Sequence, residues 1–428
     1  MLKNSEYFPP TTEIKGRLAV LLLSVPAGSE AFVDWHWQKI AGVPFLLRNI
    51  LNIQRGGVRH LALMTGEHSD AAKELGQRLL ADPRVTLTLD WPKDSFELAE
   101  IATAKKEILL LDGALLHDKN QIKSAVELKT DPEGDESFSF FRLDSDAMST
   151  LLKQSYPFDV SVLETAKKRS LSSESSEPLR DGEQLLVYFP EANLPKMSCK
   201  QDFMTAGEHI LKKSGGLAND SFVTRILSRP VSKQMTRWLL NTRITPNQIT
   251  IFSLILGLGS ALCFFKGGYG MGIGGAGLLL LSIWVDGVDG EIARIKFMES
   301  PFGAKLDIIC DNVVHVAVFF AIGVGLYHVH GEKIYMLLGF FAAAGSLMAF
   351  ILMSAGIIAG KSTTGAGNNK GQENNSLIDK LANRDFTHFL FALAVLDLLT
   401  IFIWLTAIGS NLMAFFLLFS RGSRKKPA

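Results

Sequence analysis

Residues 244–265 read ITPNQITIFSLILGLGSALCFF, and between Arg243 and Lys266 no side chain is charged. A run of that length crosses the ~30 Å hydrocarbon core of a bilayer as a helix. The same holds from Lys266 to Asp286, and further uncharged runs occupy 312–331, 334–360 and 398–420. A shorter apolar stretch, Phe386–Leu396, lies between Asp385 and Asp397. One such run could be a buried helix of a soluble protein, but five together indicate membrane helices. With Phe386–Leu396 as the shortest crossing, the C-terminal region reads as an all-α, six-helix transmembrane domain.

Basic residues set the expected orientation. Arg225, Arg229, Lys233, Arg237 and Arg243 precede the first helix, and Arg294, Lys296 and Lys305 surround the second connection. Lys361, Lys370, Lys380 and Arg384 lie in the fourth, and Arg421, Arg424, Lys425 and Lys426 follow the last helix. The alternate loops offer only Lys266 and Lys333. By the positive-inside rule both termini face the cytoplasm. A signal peptide is not expected, because the apolar run Leu18–Val25 is short and no small-residue cleavage site follows it.

Whole-chain composition hides this division. The 428 residues are 47% apolar and 20% charged, with a net charge of +1, which excludes disorder over most of the chain. Cys199, Cys263 and Cys310 are scattered, which excludes a disulfide scaffold. Charge so near zero argues against a nucleic-acid partner.

The first two hundred residues are densely charged and alternate between β-type runs and helical patterns. Leu18–Val25, Arg59–Thr65, Arg84–Leu89 and Glu107–Asp112 read as strands, with Gln184–Phe189 as a later one. Phe45–Gln54, Asp70–Leu80 and Phe96–Ala104 read as helices between them. This rhythm predicts an α/β domain with a Rossmann-type parallel sheet. Residues 168–182 are polar and Ser/Glu-rich and read as a surface loop. The expected organisation is a cytoplasmic domain over 1–205, a juxtamembrane linker with an interfacial helix over 206–244, the membrane domain over 245–421 and a basic tail over 422–428.

The chemistry concentrates at the end of the second membrane helix. There the chain reads Asp286-Gly287-Val288-Asp289-Gly290-Glu291-Ile292-Ala293-Arg294, followed by Gly303, Asp307 and Asp311. Asp286 and Asp289 share one helix face, and Asp307 and Asp311 share a face of the next helix. A short connection makes those helices antiparallel neighbours, so four carboxylates can converge. Carboxylates at membrane depth are costly and usually functional. Hard divalent cations suit all-oxygen sites, and Mg²⁺ commonly binds carboxylates together with substrate phosphates. Gly290 and Gly303 permit close approach of a ligand. Arg294 can make charge-assisted bonds to phosphate, and one Asp can take a proton from an attacking hydroxyl. The competing readings are a set of interfacial surface charges and a divalent-cation transporter site. Gly270, Gly272 and Gly275 match GxGxxG, but they open a membrane helix and read as packing positions.

The spacing D-x2-D-G-x2-A-R-x8-G-x3-D-x3-D resembles the signature of the CDP-alcohol phosphotransferases, and all eight fixed positions are present. Phe222–Arg229 and Thr245–Thr250 look like that family's juxtamembrane helix and first-helix entry, so the resemblance runs from about 219 to 420. It implies that Asp286, Asp289, Asp307 and Asp311 hold the metal site, which takes Mg²⁺ or Mn²⁺, two ions in all. Asp311 then acts as the general base. Gly290, Ala293, Arg294 and Gly303 line the cytidine diphosphate pocket, with Asn247, Thr250 and Ser300 as further candidates. An alcohol attacks the phosphorus nearest the donor's alcohol, and CMP leaves. The resemblance also implies a homodimer within a lipid bilayer, here a prokaryotic cell membrane.

The N-terminal half resembles the sugar-nucleotide-forming nucleotidyltransferases. Gly42–Leu46, Gly56-Gly57-Val58 and Ile108–His117 carry the likeness. That family places a Gly-rich, Arg-containing loop after the first strand, where this chain has Ser24-Val25-Pro26-Ala27-Gly28-Ser29. The usual lysine before the Pro is Val43, and the metal-binding Asp after Gly113 is Ala114. A triphosphate needs backbone donors and cations, so the expectation is a degenerate domain without nucleotidyl transfer. The fusion resembles the bifunctional inositol-1-phosphate cytidylyltransferase/di-myo-inositol-phosphate phosphate synthase arrangement. The implied donor is CDP-inositol or CDP-diacylglycerol and the implied acceptor inositol or inositol phosphate. Arg225, Arg229, Lys380 and Arg384 are the candidate acceptor contacts. The alternatives are the cation transporter and an N-domain that still makes a CDP-alcohol.

Overall fold

The computed structural model describes residues 17–28, 31–66, 68–103, 105–127, 139–153, 160–170, 179–189, 194–214, 224–358 and 386–423. The chain divides into two compact units, Met1–Ile210 and Leu211–Ala428.

The first unit runs β1 (Arg17–Leu22), α1 (Phe32–His36), β2 (Lys39–Ile40), β3 (Val43–Pro44), α2 (Phe45–Arg55), β4 (His60–Met64), α3 (Ser69–Leu80) and β5 (Thr88–Asp90). It continues with α4 (Ser95–Thr103), β6 (Glu107–Asp112), α5 (Lys119–Glu127), β7 (Ser139–Asp144), α6 (Ser145–Leu152), α7 (Val160–Arg169), β8 (Glu183–Tyr188) and α8 (Lys200–Ser214). Six strands form one sheet in the order β5-β4-β1-β6-β8-β7. Five are parallel, as the sequence rhythm predicts, and β7 joins β8 antiparallel at the edge. The sequence reading missed β7, although Asp131-Pro132-Glu133-Gly134 offers a turn signal before it, because Ser139–Asp144 lacks strict alternation. Leu18, Ala19, Val20 and Leu21 are fully buried, which is why β1 is a continuous apolar run. Expected strand 84–89 shrinks to β5. Side chains hold the residues before it in a turn: Arg84 N donates to Asp82 Oδ1 at 3.0 Å, and Thr86 N donates to Gln54 Oε1 at 2.8 Å.

The second unit opens with a π-helical turn at Thr224–Ser228, then α9 (Arg229–Leu239), α10 (Pro246–Lys266), α11 (Tyr269–Ile295), α12 (Pro301–His330), α13 (Lys333–Ile358), α14 (Phe386–Val395) and α15 (Leu399–Ser423). Five of these helices, α10 to α13 and α15, are long and apolar enough to cross a membrane, and α14 is shorter. Helix ends follow their local chemistry. Pro246 opens α10 while Thr245 N donates to Gln248 Oε1 at 3.0 Å. Ser300 caps α12, its hydroxyl accepting from Gly303 N at 3.0 Å.

α10 packs along both α11 and α12, whereas α11 and α12 share almost no direct packing. The sequence predicts those two as antiparallel neighbours whose acids converge; three of the four acids do converge, and α10 packs on both helices. Glycines let these helices close. A Cβ on Gly325 would stand 1.9 Å from Phe264 O, and one on Gly323 would stand 2.5 Å from Gly339 Cα. The glycine-rich start of α11 also serves packing. A Cβ on Gly275 would meet the Phe264 ring at 3.1 Å, and one on Gly272 would meet Leu399 Cδ1 at 2.9 Å.

Candidate active site

The order in which the chain adds strands to the N-terminal sheet reverses between β1 and β6, the place where open α/β sheets usually bind ligands. At that crevice the chain closes on itself. Gly113 N donates to Leu22 O at 2.7 Å, and a Cβ on Gly113 would stand 2.3 Å from that oxygen. Asp112, at the end of β6, accepts from Ala114 N through Oδ1 at 2.8 Å. Ala114 itself is buried. Below the crevice His117, Asn49 and Asn52 form a network. His117 N donates to Asn49 Oδ1 at 3.0 Å, while Asn49 Nδ2 and Asn52 Nδ2 each donate at 2.8 Å, to Leu115 O and His117 O. Burial pushes His117 down to about 4, against a favourable contact with Asp112 O. His36, buried between Phe32 and Phe45, is also pushed down to about 4, by burial first and then by His68. These groups are neutral or closed on local partners, which is the pattern of a structural interior.

The membrane unit is different. Asp286 from α11 and Asp307 and Asp311 from α12 each offer a carboxylate oxygen, and the three oxygens lie within 4.8 Å of one another. Among the described residues no other group of three or more potential ligands converges in this way. Asp286 is 4% exposed, and Asp307 and Asp311 are half-buried. Two unit charges 4.8 Å apart repel by about 3 kcal/mol at an effective dielectric constant near 20. Such a set is held together when a cation shares it. The donor set fits one: all the ligands are hard oxygens, as Mg²⁺ and Mn²⁺ prefer.

Asp289, expected as the fourth acid, is not among these three. Its Oδ2 accepts a short hydrogen bond from Thr250 Oγ1, which also reaches Pro246 O at 3.2 Å. Thr250, expected at the nucleotide, thus ties the first turn of α10 to α11. Asn247, Ser300 and Gly303 come together at the start of α12: a Cβ on Gly303 would stand 3.0 Å from both Asn247 Oδ1 and Ser300 Oγ. Gly290 and Arg294 also meet, with Arg294 Nη1 3.2 Å from where a Cβ on Gly290 would sit. Ala293 lies half-buried between them on the same helix.

The candidate acceptor residues are dispersed. Arg225 is exposed on the π turn. Arg229 Nη1 donates to Glu291 Oε1 at 2.9 Å, inside the protein. Lys380 and Arg384 lie outside the described residues.

The sequence reading missed Glu291. It is fully buried and takes hydrogen bonds from three side chains of α9: Arg229, Ser232 at 3.5 Å and Thr236 at 2.7 Å. The signal was available, since Arg229, Ser232 and Thr236 form one stripe at i, i+3 and i+7. Lys296 is also buried, and its Nζ donates to Thr242 O at 2.9 Å. Ser228 Oγ meets His388 Nε2 of α14 at 3.1 Å.

Phe297, which follows α11, adopts the left-handed conformation at φ 57°. Met298 N donates to Ala293 O at 2.8 Å, closing the helix with the bond that usually accompanies a glycine in that place.

Residues 243–415 match the CDP-alcohol phosphatidyltransferase family model. The chain is 33% identical over 126 residues to a bifunctional IPC transferase and DIPP synthase of Aquifex aeolicus, covering 29% of this chain and 28% of that one. It is 36% identical over 98 residues to a phosphatidylinositol phosphate synthase of Corynebacterium glutamicum, covering 23% and 42%. The aligned part thus spans under a third of the bifunctional relative's length. A crystal structure of Mycobacterium tuberculosis phosphatidylinositol phosphate synthase with CDP-DAG bound shares 21% identity, with a TM-score of 0.34, over 44% of this chain and 92% of that one.

Proposed function

We propose that this chain is a membrane phosphotransferase that moves a phosphoalcohol group from a CDP-alcohol to an alcohol acceptor and releases CMP. One observation carries the reading: Asp286, Asp307 and Asp311 converge within 4.8 Å inside the segment that matches the CDP-alcohol phosphatidyltransferase family. Together with Asp289, these acids would hold two divalent cations, Mg²⁺ or Mn²⁺. When bound, such ions neutralise charge building on the pyrophosphate.

The protein's own groups do the rest. Gly290 and Gly303 leave room for the nucleotide, and Arg294 donates to its phosphates. Asn247, Ser300 and Ala293 complete the rim. Asp311 takes the proton from the acceptor hydroxyl. The oxygen so freed forms a bond to the phosphorus bearing the donor's alcohol, the bond from that phosphorus to the bridging oxygen breaks, and CMP departs.

The donor class is CDP-inositol or CDP-diacylglycerol, and the acceptor is inositol or its phosphate. Arg225, Lys380 and Arg384 remain the candidates for an acceptor phosphate, while Arg229 serves Glu291. The membrane unit makes six crossings with both termini cytoplasmic. Support for the sixth comes from α14, which packs on α11 and is tied at opposite ends: His388 meets Ser228, and Val395 O accepts from Tyr269 at 2.9 Å. The N-terminal unit is a nucleotidyltransferase-like domain that has become structural or regulatory, so its donor is made elsewhere.

The test is CMP release by purified protein with Mg²⁺ or Mn²⁺. CDP-inositol and CDP-diacylglycerol are each offered with inositol, inositol phosphate or glycerol phosphate. Metal-dependent CMP release with one pairing establishes the reaction and names its substrates. Divalent-cation flux in proteoliposomes without CMP release would replace the reading with that of a transporter.

A further inference from the structure

The acid cluster is shared between two helices that scarcely touch. Asp286 belongs to α11, and Asp307 and Asp311 belong to α12, so other elements set their separation. α10 fixes one side by packing on both. Repulsion among the carboxylates drives α11 away from α12, and something behind α11 must resist it.

Glu291 follows Asp286 by five residues, about 140° round the helix, and so lies on the back of α11. There it is fully buried and bound by Arg229, Ser232 and Thr236, one stripe of α9. Gly287, on the same side, lets α9 come close: a Cβ there would stand 3.8 Å from Ser232 Cβ. α9 is itself anchored. Beyond its C-terminal end Lys296 Nζ donates to Thr242 O at 2.9 Å, and just before its start Ser228 meets His388. α9 is therefore a splint tied to α11 through Glu291 and Lys296 and to α14 through His388.

We infer that Glu291 is a positioning residue whose buried latch to α9 holds the acid face of α11 at the distance from α12 at which Asp286, Asp307 and Asp311 share a cation. The inference rests on the metal-dependent reading above. A buried ion pair adds little net stability over an apolar pair but fixes register, because a displaced partner leaves an uncompensated charge. That suits a contact whose task is alignment.

The test is Mn²⁺ binding to the full-length protein in lipid nanodiscs, read from the electron paramagnetic resonance of the free ion, beside thermal unfolding. Glu291→Gln keeps the size of the side chain and removes the charge. Its Mn²⁺ affinity is expected to fall roughly tenfold, the low end of what loss of a supporting partner costs a metal site. Arg229→Met should repeat the loss, and Arg229→Lys should recover most of it. Thr236→Val, which threatens folding least, should lower affinity by about threefold, less than Glu291→Gln because two of the three donors to the carboxylate remain. Lower unfolding temperature with unchanged Mn²⁺ affinity in all these variants would overturn the inference and leave the metal site standing. A native protein that binds no Mn²⁺ would overturn the metal reading, and the inference with it.

Discussion

Asp112 and Asp286 both stand beside buried elements, and their surroundings are opposite. Asp112 closes on the turn after its own strand, accepting from Ala114 N, two residues away. Asp286 is brought from one helix against Asp307 and Asp311 of another. In the N-terminal unit, buried polar groups are neutral or paired with uncharged partners, as with His117, Asn49 and Asn52. In the membrane unit, like charges are held together at a cost near 3 kcal/mol per close pair. A fold keeps such a cost when a ligand relieves it, which is why we propose the membrane unit as the place of the chemistry.

Acid should separate the two units most strongly. His36 and His117 are each pushed down to about 4 in the folded state, against about 6.5 when unfolded. The unfolded chain therefore binds more protons between those values. The stability these groups confer is complete above pH 6.5 and is lost as pH falls towards 4, on the order of 3 kcal/mol for each. Hydrogen exchange followed from pH 7 to 4 should show residues 17–210 opening well before 246–352. His36→Phe, which keeps the ring among Phe32 and Phe45, should remove about half of that acid sensitivity.

A smaller effect sharpens the packing side of the contrast. Gly325→Ala puts a methyl 1.9 Å from Phe264 O, backbone against backbone. It should cost about 1–3 kcal/mol, the usual range for overpacking, and lower the unfolding temperature of the membrane unit. Gly182→Ala in the N-terminal unit meets nothing within 4 Å, but its φ of 88° makes it a test of strain alone. It should cost about 1 kcal/mol.

Relief of repulsion is the next. Without metal, Asp286→Asn should stabilise the membrane unit by on the order of 2 kcal/mol. The native protein should gain unfolding temperature when Mn²⁺ is added, by mass action, and the variant should gain much less. The smallest effect concerns Phe297. Phe297→Gly removes left-handed strain worth about 1 kcal/mol but exposes a pocket filled by a buried ring. Calorimetry should therefore find a change of under about 1 kcal/mol.

Much of this was legible in sequence. Continuous apolar runs marked α10 to α13 and α15 because membrane helices need no amphipathic pattern, and β6 matched its expected bounds at Glu107–Asp112. The acids were legible because each pair repeats at helical spacing. What was not legible depends on tertiary placement. No local signal says that Thr250 donates to Asp289, or that α10 packs on both α11 and α12. The stripe of Arg229, Ser232 and Thr236 was visible, but nothing local named Glu291 as its partner, 55 to 62 residues away. β7 pairs antiparallel with a strand that follows it by about forty residues, and nothing within Ser139–Asp144 announces that partner.

The central claim is that transfer chemistry belongs to the membrane acids and not to the strand-end acid. It is tested most directly by metal-dependent CMP release from a CDP-alcohol, measured side by side in the native protein, Asp311→Asn and Asp112→Asn. Release should fall roughly 10²–10⁴-fold in Asp311→Asn, the range for removal of a general base, and stay native in Asp112→Asn. Loss of release in Asp112→Asn with full release in Asp311→Asn would contradict it.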